Sequence, residues 1–153
     1  MRFHSTVLFV NDIERTKDFY TRVLGFSIEH DFGKNVILNQ GITIWEITQE
    51  HPIARRLQTR NESNRFELYF ENEFIEDSYN QIKMEGVHFF HDLHEEPWGQ
   101  QTFRFFDPDG HLIEVGEPLA TFVTNMSKKG LTIEKINQKS GVPIETIKMI
   151  LNR

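Results

Sequence analysis

The sequence predicts an α+β fold of two βαβββ modules followed by C-terminal helices. A strand, a helix and three further strands occur twice, and the glycines that end the two helices, Gly25 and Gly86, are 61 residues apart. The 153-residue chain is 38% hydrophobic and 26% charged, which is typical of a globular protein. It has no cysteine, which excludes disulfides, thiolate metal sites and cysteine nucleophiles.

The first predicted module spans residues 1–48 and begins with a strand over residues 3–10, which is rich in β-branched and aromatic residues. Asp12 is placed to cap a helix by accepting a backbone N–H, and Gly25 stands at the expected C-terminal stop. Apolar residues recur between them at helical spacing. Three strands follow, over residues 26–32, 36–38 and 42–47, the last two joined by a turn at residues 39–41.

The second predicted module spans residues 65–117, after a polar linker over residues 49–64. Its strand over residues 65–70 precedes an amphipathic helix that ends at Gly86. Residues 91–97 are expected to form an acidic loop. Strands are expected over residues 87–90, 101–106 and 111–115. We expect the two modules to form one curved, mostly antiparallel sheet, a half-barrel whose cleft holds a ligand.

Two motifs carry a resemblance to a known superfamily. FVNDIERTKDFYTRVLGF, residues 9–26, resembles the opening of the vicinal oxygen chelate superfamily, and FRFFDPDGHLIEVGE, residues 103–117, resembles its closing strand pair. That superfamily includes glyoxalase I, extradiol dioxygenases, fosfomycin-resistance enzymes and bleomycin-binding proteins. The resemblance covers residues 1–117, and the two motifs together are specific.

The resemblance implies four inward-facing ligand positions in the cleft, which fall here on Ser5, Glu46, Glu67 and Glu114. Metal-dependent members carry histidine at the first-strand positions, where this chain has Ser5 and Glu67. A hydroxyl is a poor metal ligand, so we expect no resident cofactor. If a divalent metal binds, its ligands are Glu46, Glu67 and Glu114, an all-oxygen set that suits Mg²⁺, Mn²⁺ or Ca²⁺.

The strand pattern supports a carboxylate site. Residues two apart on a strand share a face, so Glu46 is expected beside Ile44 and Glu114 beside Leu112. Each glutamate is therefore expected on an apolar face, at equivalent places in the repeat. Converging carboxylates repel one another, which raises the pKa of at least one and provides a general acid or base. They could equally attract a cationic ligand. The alternative is that Arg65 or Arg104 neutralises one of them.

The loop at residues 97–100 is expected to border the cleft, which adds Trp98 and Gln100 to the predicted ligand-binding residues. His88, His91 and His94 follow at three-residue spacing. On a strand leading into a loop, alternation would separate His88 from His91, so we expect solvated histidines and no metal site. His111, with the opposite parity to Glu114, is expected to face outward.

The segment 118–153 is predicted to form three helices, with Thr132 capping the second and Pro143 opening the third. It resembles a helix-turn-helix. Residues 128–153 carry six basic and two acidic residues, a net charge of +4. Because the whole chain carries −6, residues 1–127 carry −10. An acidic body repels nucleic acid, so nucleic-acid binding is not expected and the segment is predicted to pack on the body or a second subunit.

Three functions remain open. The first is a bleomycin-resistance-like protein that binds a small molecule in an acidic cleft without the usual metal. The alternative is a metal-dependent lyase, isomerase or transferase of the glyoxalase I or fosfomycin-resistance type, with Glu114 and Glu46 as catalytic residues. The third is a ligand-responsive regulator that uses the basic segment. We expect a cytoplasmic homodimer that makes no membrane contact, because no apolar run is long enough to span a bilayer.

Overall fold

The computed structural model describes residues 4–48 and 67–152. The predicted linker, residues 49–64, lies outside these residues. Residues 4–48 form one compact unit with Asp107–His111, and residues 67–106 form a second with residues 112–152. No helix in the described part of the chain is long and apolar enough to cross a membrane.

Module 1 has the predicted βαβββ order. Its sheet has the strand order β1-β4-β3-β2, in which β1 and β4 are parallel and the other pairs antiparallel. A π-helical turn over Phe19–Val23 extends the helix. The elements are β1 Thr6–Val10, α1 Ile13–Asp18, β2 Ile28–Asp31, β3 Asn35–Leu38 and β4 Ile42–Glu46.

Local signals place the ends of these elements. Asp12 caps α1, since its Oδ1 accepts from the backbone N of Arg15 at 3.0 Å. Gly25 follows the helix with φ +74°, a conformation that favours glycine. One face of the sheet is buried beneath α1, and it carries Leu8, Val10, Val36, Leu38, Ile42 and Ile44.

Module 2 repeats the arrangement with the strand order β5-β8-β7-β6, β5 and β8 being parallel. The expected loop over residues 91–97 is wrong, because β6 continues to Glu95 with irregular register at two places. The buried face packs on α2, where the Tyr79 ring lies 5.5 Å from the rings of both Phe89 and Phe103. The elements are β5 Leu68–Glu71, α2 Ile75–Met84, β6 Phe89–Glu95, β7 Gln101–Phe106 and β8 Leu112–Gly116.

Three C-terminal helices complete the second unit, as predicted: α3 Leu119–Lys128, α4 Ile133–Ser140 and α5 Ile144–Leu151. Their apolar faces bury one another in a cluster that includes Phe122, Val123, Met126, Ile136 and Ile147. Polar contacts fasten them to module 2. Lys129 and Lys139 both bind Glu95, at 2.8 and 2.5 Å, and Asn125 donates to Glu117 at 2.7 Å.

Candidate functional site

The sheet of module 2 has one face that does not pack on α2. Strand alternation and the β5–β8 and β7–β8 registers place Tyr69, Thr102, Arg104 and Glu114 on this face. Glu67 joins them through its contact with Arg104. We call these five residues the carboxylate face. Phe103 and Phe105 lie on the opposite face and are fully buried.

Arg104 is the centre of the carboxylate face. Its Nε donates to Glu67 Oε2 at 2.9 Å and its Nη1 to Glu96 Oε1 at 2.9 Å, while Nη2 contacts the Glu114 carboxylate. Glu114 is only 5% exposed, so the guanidinium supplies the countercharge that burial of this carboxylate requires. The alternative expectation had an arginine neutralise one of the three predicted glutamates, whereas Arg104 contacts two of them, Glu67 and Glu114. Arg65 lies outside the described residues.

Glu96 is a site residue that the sequence did not single out. Thr102 donates to the same Oε1 atom at 2.9 Å. Burial would raise the pKa of Glu96, but the hydrogen bonds from Arg104 and Thr102 outweigh it and hold the pKa below its ordinary value. Glu96 follows directly after β6, in the segment that was predicted to be an acidic loop, so no strand pattern indicated where its side chain would lie.

His91 and His94 lie side by side next to this network, and His94 keeps 45% of its side chain exposed, in keeping with the expectation of solvated histidines. Their ring centroids are 4.3 Å apart, and Arg104 Nη1 donates to His91 Nε2 at 3.0 Å. The reason is the irregular pairing of β6 with β7 between His91 and His94, which breaks simple alternation. A bulge leaves no mark in single-sequence periodicity, so this pairing could not be predicted.

Trp98 and Gln100, both predicted to bind ligand, form one hydrogen-bonded chain with Tyr69. Trp98 Nε1 donates to Gln100 Oε1 at 2.9 Å, and Gln100 Nε2 donates to Tyr69 Oη at 2.9 Å and to the backbone oxygen of Glu117 at 2.7 Å. The amide of Gln100 is buried and its groups are engaged. Trp98 and Tyr69 are 38% and 46% exposed, so the rings of these two residues are the solvent-accessible groups among the three hydrogen-bonded side chains.

In module 1, Ser5 and Glu46 lie on opposite faces of the sheet. The β1–β4 register pairs Val10 with Glu46, which puts Glu46 on the face that packs on α1. Its Oε2 accepts from the backbone N of Ile13 at 3.0 Å, and its Oε1 binds Lys34 at 3.0 Å. Ser5 accepts from Thr43 Oγ1 at 3.1 Å.

The expected equivalence of Glu46 and Glu114 is off by one residue. Glu114 is the fourth residue after Gly110, and the fourth residue after Gly41 is Trp45. Trp45 pairs with Phe9 in the parallel β1–β4 ladder, as Glu114 pairs with Tyr69 in the β5–β8 ladder. A shift of one residue along a strand turns the side chain to the other face, which is why Glu46 meets α1.

His111 also differs from expectation. Its Nδ1 lies 2.8 Å from Asp107 Oδ2, and the side chain is mostly buried instead of facing outward. Tyr20 donates to the same oxygen at 3.1 Å. Burial lowers the pKa of His111, but the hydrogen bond to Asp107 and the charge of that carboxylate more than offset it, so the pKa is raised.

The sequence profile of the glyoxalase-like domain matches residues 3–120. The chain belongs to this family. It is thereby a member of the glyoxalase/bleomycin resistance/dioxygenase, or vicinal oxygen chelate, superfamily, with C-terminal helices that lie largely beyond the matched residues. No curated protein matches the sequence.

Solved structures of superfamily members have the same fold. The chain is similar to a protein of unknown function from Agrobacterium tumefaciens str. C58, at 39% identity and a TM-score of 0.67, covering 78% of this chain and 95% of that one. It is also similar to a glyoxalase/bleomycin resistance protein/dioxygenase from Nocardioides, at 18% identity and TM-score 0.62, over 76% and 83% of the two chains. A lactoylglutathione lyase from Agrobacterium tumefaciens has 21% identity and TM-score 0.56, over 76% and 92%.

The residues at the superfamily's ligand positions do not fit a divalent metal. Arg104 places its guanidinium between Glu67 and Glu114, where a second cation would be repelled. Glu46 is engaged by Lys34 and by the first residue of α1, and Ser5 offers only a hydroxyl. No catalytic step through such a metal follows from these residues.

Proposed function

We propose that this superfamily member binds a small organic cation at the carboxylate face of module 2, without a metal at the superfamily's ligand positions. The observation that supports the proposal is the set of contacts between Arg104 and three glutamates. One guanidinium faces the three carboxylates of Glu67, Glu96 and Glu114, so the formal charge of these four side chains sums to −2.

The accessible groups at this face suit a ligand with a cationic head and an apolar body. Glu67 keeps 34% of its side chain exposed, so its second oxygen can accept from an ammonium group. Tyr69 and Trp98 offer exposed rings, and aromatic faces attract cations by about 0.5–2 kcal/mol. Ser5, Glu46 and Gln100, the other predicted ligand residues, have their polar groups engaged in the contacts described above.

The test is a matched set of probes measured by calorimetry: phenethylamine, 2-phenylethanol and 3-phenylpropionate. The amine should bind best, because only its head group complements the excess carboxylates. Glu67→Gln should weaken amine binding by roughly tenfold, as expected for loss of a charged hydrogen bond. Glu145→Gln is the charge-matched control on the exposed surface of α5, and it should change nothing.

Preferential binding of the alcohol or the carboxylate would contradict the proposal, as would equal affinity of the wild type and Glu67→Gln for the amine.

The absence of cysteine is compatible with the expected cytoplasmic setting, which fractionation of expressing cells would test.

A further inference from the structure

The turn between β6 and β7, residues 96–100, carries three residues of the candidate site, Glu96, Trp98 and Gln100. It is closed by two hydrogen bonds of 2.8 Å, from Glu96 N to Gln100 O and from Gly99 N to Glu96 O. Among the described strands, β6 is an edge strand and pairs with β7 alone. A turn at the end of an edge hairpin opens readily unless something outside the sheet holds it. We infer that the C-terminal helices hold this turn and thereby position Trp98 at the carboxylate face.

One contact between the turn and the helices is steric. Gly99 has a φ of +96°, and a Cβ at this residue would lie 2.6 Å from Met126 Sδ and 3.4 Å from Lys139 Cε. The backbone of the turn therefore comes closer to the helices than a side chain would allow without displacing Met126. Met126 is 2% exposed and belongs to the apolar cluster of the three helices, so Gly99 rests on a packed surface.

A second contact is electrostatic and lies at the residue before the turn. Glu95, the last residue of β6, binds Lys129 Nζ through Oε2 at 2.8 Å and Lys139 Nζ through Oε1 at 2.5 Å. The next residue, Glu96, accepts from Arg104 at 2.9 Å. The start of the turn is thus held by the helices at Glu95 and by the carboxylate face at Glu96.

The end of the turn is connected to α3 through Glu117. The Oε1 atom of Glu117 accepts from Asn125 Nδ2 at 2.7 Å, and its Oε2 accepts from the backbone N of Gln101 at 2.9 Å. The backbone oxygen of Glu117 accepts from Gln100 Nε2 at 2.7 Å, and Gln100 Oε1 accepts from Trp98 Nε1 at 2.9 Å. Residues joined by hydrogen bonds therefore lead from α3 to the indole of Trp98.

These contacts give a role to helices that lie largely beyond residues 3–120, the part of the chain that matches the glyoxalase-like domain. Met126, Lys129 and Lys139 are positioning residues, which act on Trp98 through Gly99 and Glu95. A site binds more tightly when its contact residues are held in place before the ligand arrives. Where affinity is concerned, this role rests on the proposed function.

The first test needs no ligand. In a Trp45→Phe background Trp98 is the sole tryptophan, so its fluorescence reports on the turn. Met126→Ala and the double variant Lys129→Gln/Lys139→Gln should each increase acrylamide quenching of Trp98 by roughly twofold, because the turn opens more often.

Two control variants match these changes. Ile147→Ala removes apolar volume from the same helical cluster at a residue of α5. Lys128→Gln/Lys148→Gln removes two positive charges at exposed positions of the same helices. Both controls should show the quenching of the Trp45→Phe background.

The second test is calorimetry with phenethylamine in chains that keep Trp45. Met126→Ala and Lys129→Gln/Lys139→Gln should each weaken binding by roughly threefold to tenfold, because Trp98 is less well held before binding. The direction is informative for the lysine variant, since removal of two positive charges by itself favours a cationic ligand. Lys129→Arg/Lys139→Arg keeps both charges at Glu95 and should restore the wild-type affinity.

Unchanged quenching in both Met126→Ala and Lys129→Gln/Lys139→Gln would overturn the inference, as would increases of equal size in the two controls. Wild-type amine affinity in both variants would also overturn it. If the wild type binds no amine, the proposed function fails, and the quenching of Trp98 alone decides whether the helices hold the turn. Thermal unfolding checks that each variant is folded, and the lysine variant is the decisive one if Met126→Ala unfolds.

Discussion

Arg104 on β7 reaches across β8 to Glu67, the residue before β5, with 2.9 Å between Arg104 Nε and Glu67 Oε2. The same guanidinium reaches Glu96 and the buried Glu114. A protein side chain thus supplies the positive charge at a place where metal-dependent members of the superfamily are expected to hold a metal. The stability of the second module and its response to pH should both depend on this one residue.

Arg104→Gln should lower the free energy of unfolding by about 3 kcal/mol at pH 7, because a buried carboxylate loses its countercharge. Wild-type Glu96 has a depressed pKa, so its contribution is present above the ordinary value of 4.5 and is lost as pH falls through the folded value. In the variant the crowded carboxylates take up protons more readily, so its deficit should shrink at pH 5. Urea unfolding at the two pH values measures this.

The control for that experiment is Arg22→Gln, which removes an arginine from an exposed pair with Asp18. Exposed pairs contribute about 0–1 kcal/mol, so this variant should stay close to wild type at both pH values. A deficit in Arg104→Gln that grows as the pH falls from 7 to 5 would show that the guanidinium does not compensate the carboxylates.

Glu46→Gln should lower the unfolding temperature and leave amine binding unchanged, because Glu46 fastens α1 to β4. The hydrogen bond from Ile13 N and the bond with Lys34 hold the pKa of Glu46 below 4.5. Its contribution is therefore present above that pH and lost as the pH falls through the folded value. Calorimetric scans between pH 4 and 7 should show the deficit closing in acid. A Glu46→Gln variant with wild-type stability and weakened amine binding would contradict this prediction and show that Glu46 contributes to ligand binding.

His111→Gln should be more destabilising at pH 6 than at pH 9. The folded-state pKa of His111 is raised above 6.5, so the stabilising contribution of its charged form is complete below that value and is lost as pH rises through the folded pKa. Chemical unfolding of wild type and variant at both pH values gives the difference. His30→Gln, at an exposed position on β2, serves as the control for the loss of an imidazole. An equal deficit at pH 6 and pH 9 would contradict the charge pairing with Asp107.

Deletion of residues 118–153 should lower the unfolding temperature of module 2 and increase aggregation. It removes Asn125 from Glu117, and Lys129 and Lys139 from Glu95. A milder variant, Ile136→Ala, should lower the free energy of unfolding by about 2–5 kcal/mol, because it opens a cavity among the three helices.

Filter binding of the full chain at low salt should detect no preference for any DNA sequence. Selective binding of one sequence with a steep salt slope would favour the regulator hypothesis.

The protein should be a homodimer in solution. Each four-stranded sheet ends in two edge strands, and β2, at one of these edges, is exposed along its whole length. Exposed edges favour pairing with another chain. Light scattering should give twice the chain mass of 18.2 kDa, and a mass of 18.2 kDa at working concentration would refute the prediction.

The sequence by itself determined the order of the elements and most of their ends. Asp12 and Thr132 cap their helices as predicted, and Gly25 and Gly86 adopt the positive φ that ends a helix. β7 occupies the predicted residues 101–106. These features depend on hydrogen bonds and dihedral preferences within a few residues, so local sequence contains the information that decides them.

The tertiary structure decided which side chains meet. Only the pairing of β6 with β7 brings His91 beside His94, and only the register of β4 on β1 turns Glu46 toward α1. Arg104 was one of two candidate partners until the registers of module 2 placed it between Glu67 and Glu114. Strand register and bulges depend on a partner segment tens of residues away, and a shift of one residue exchanges the two faces of a sheet.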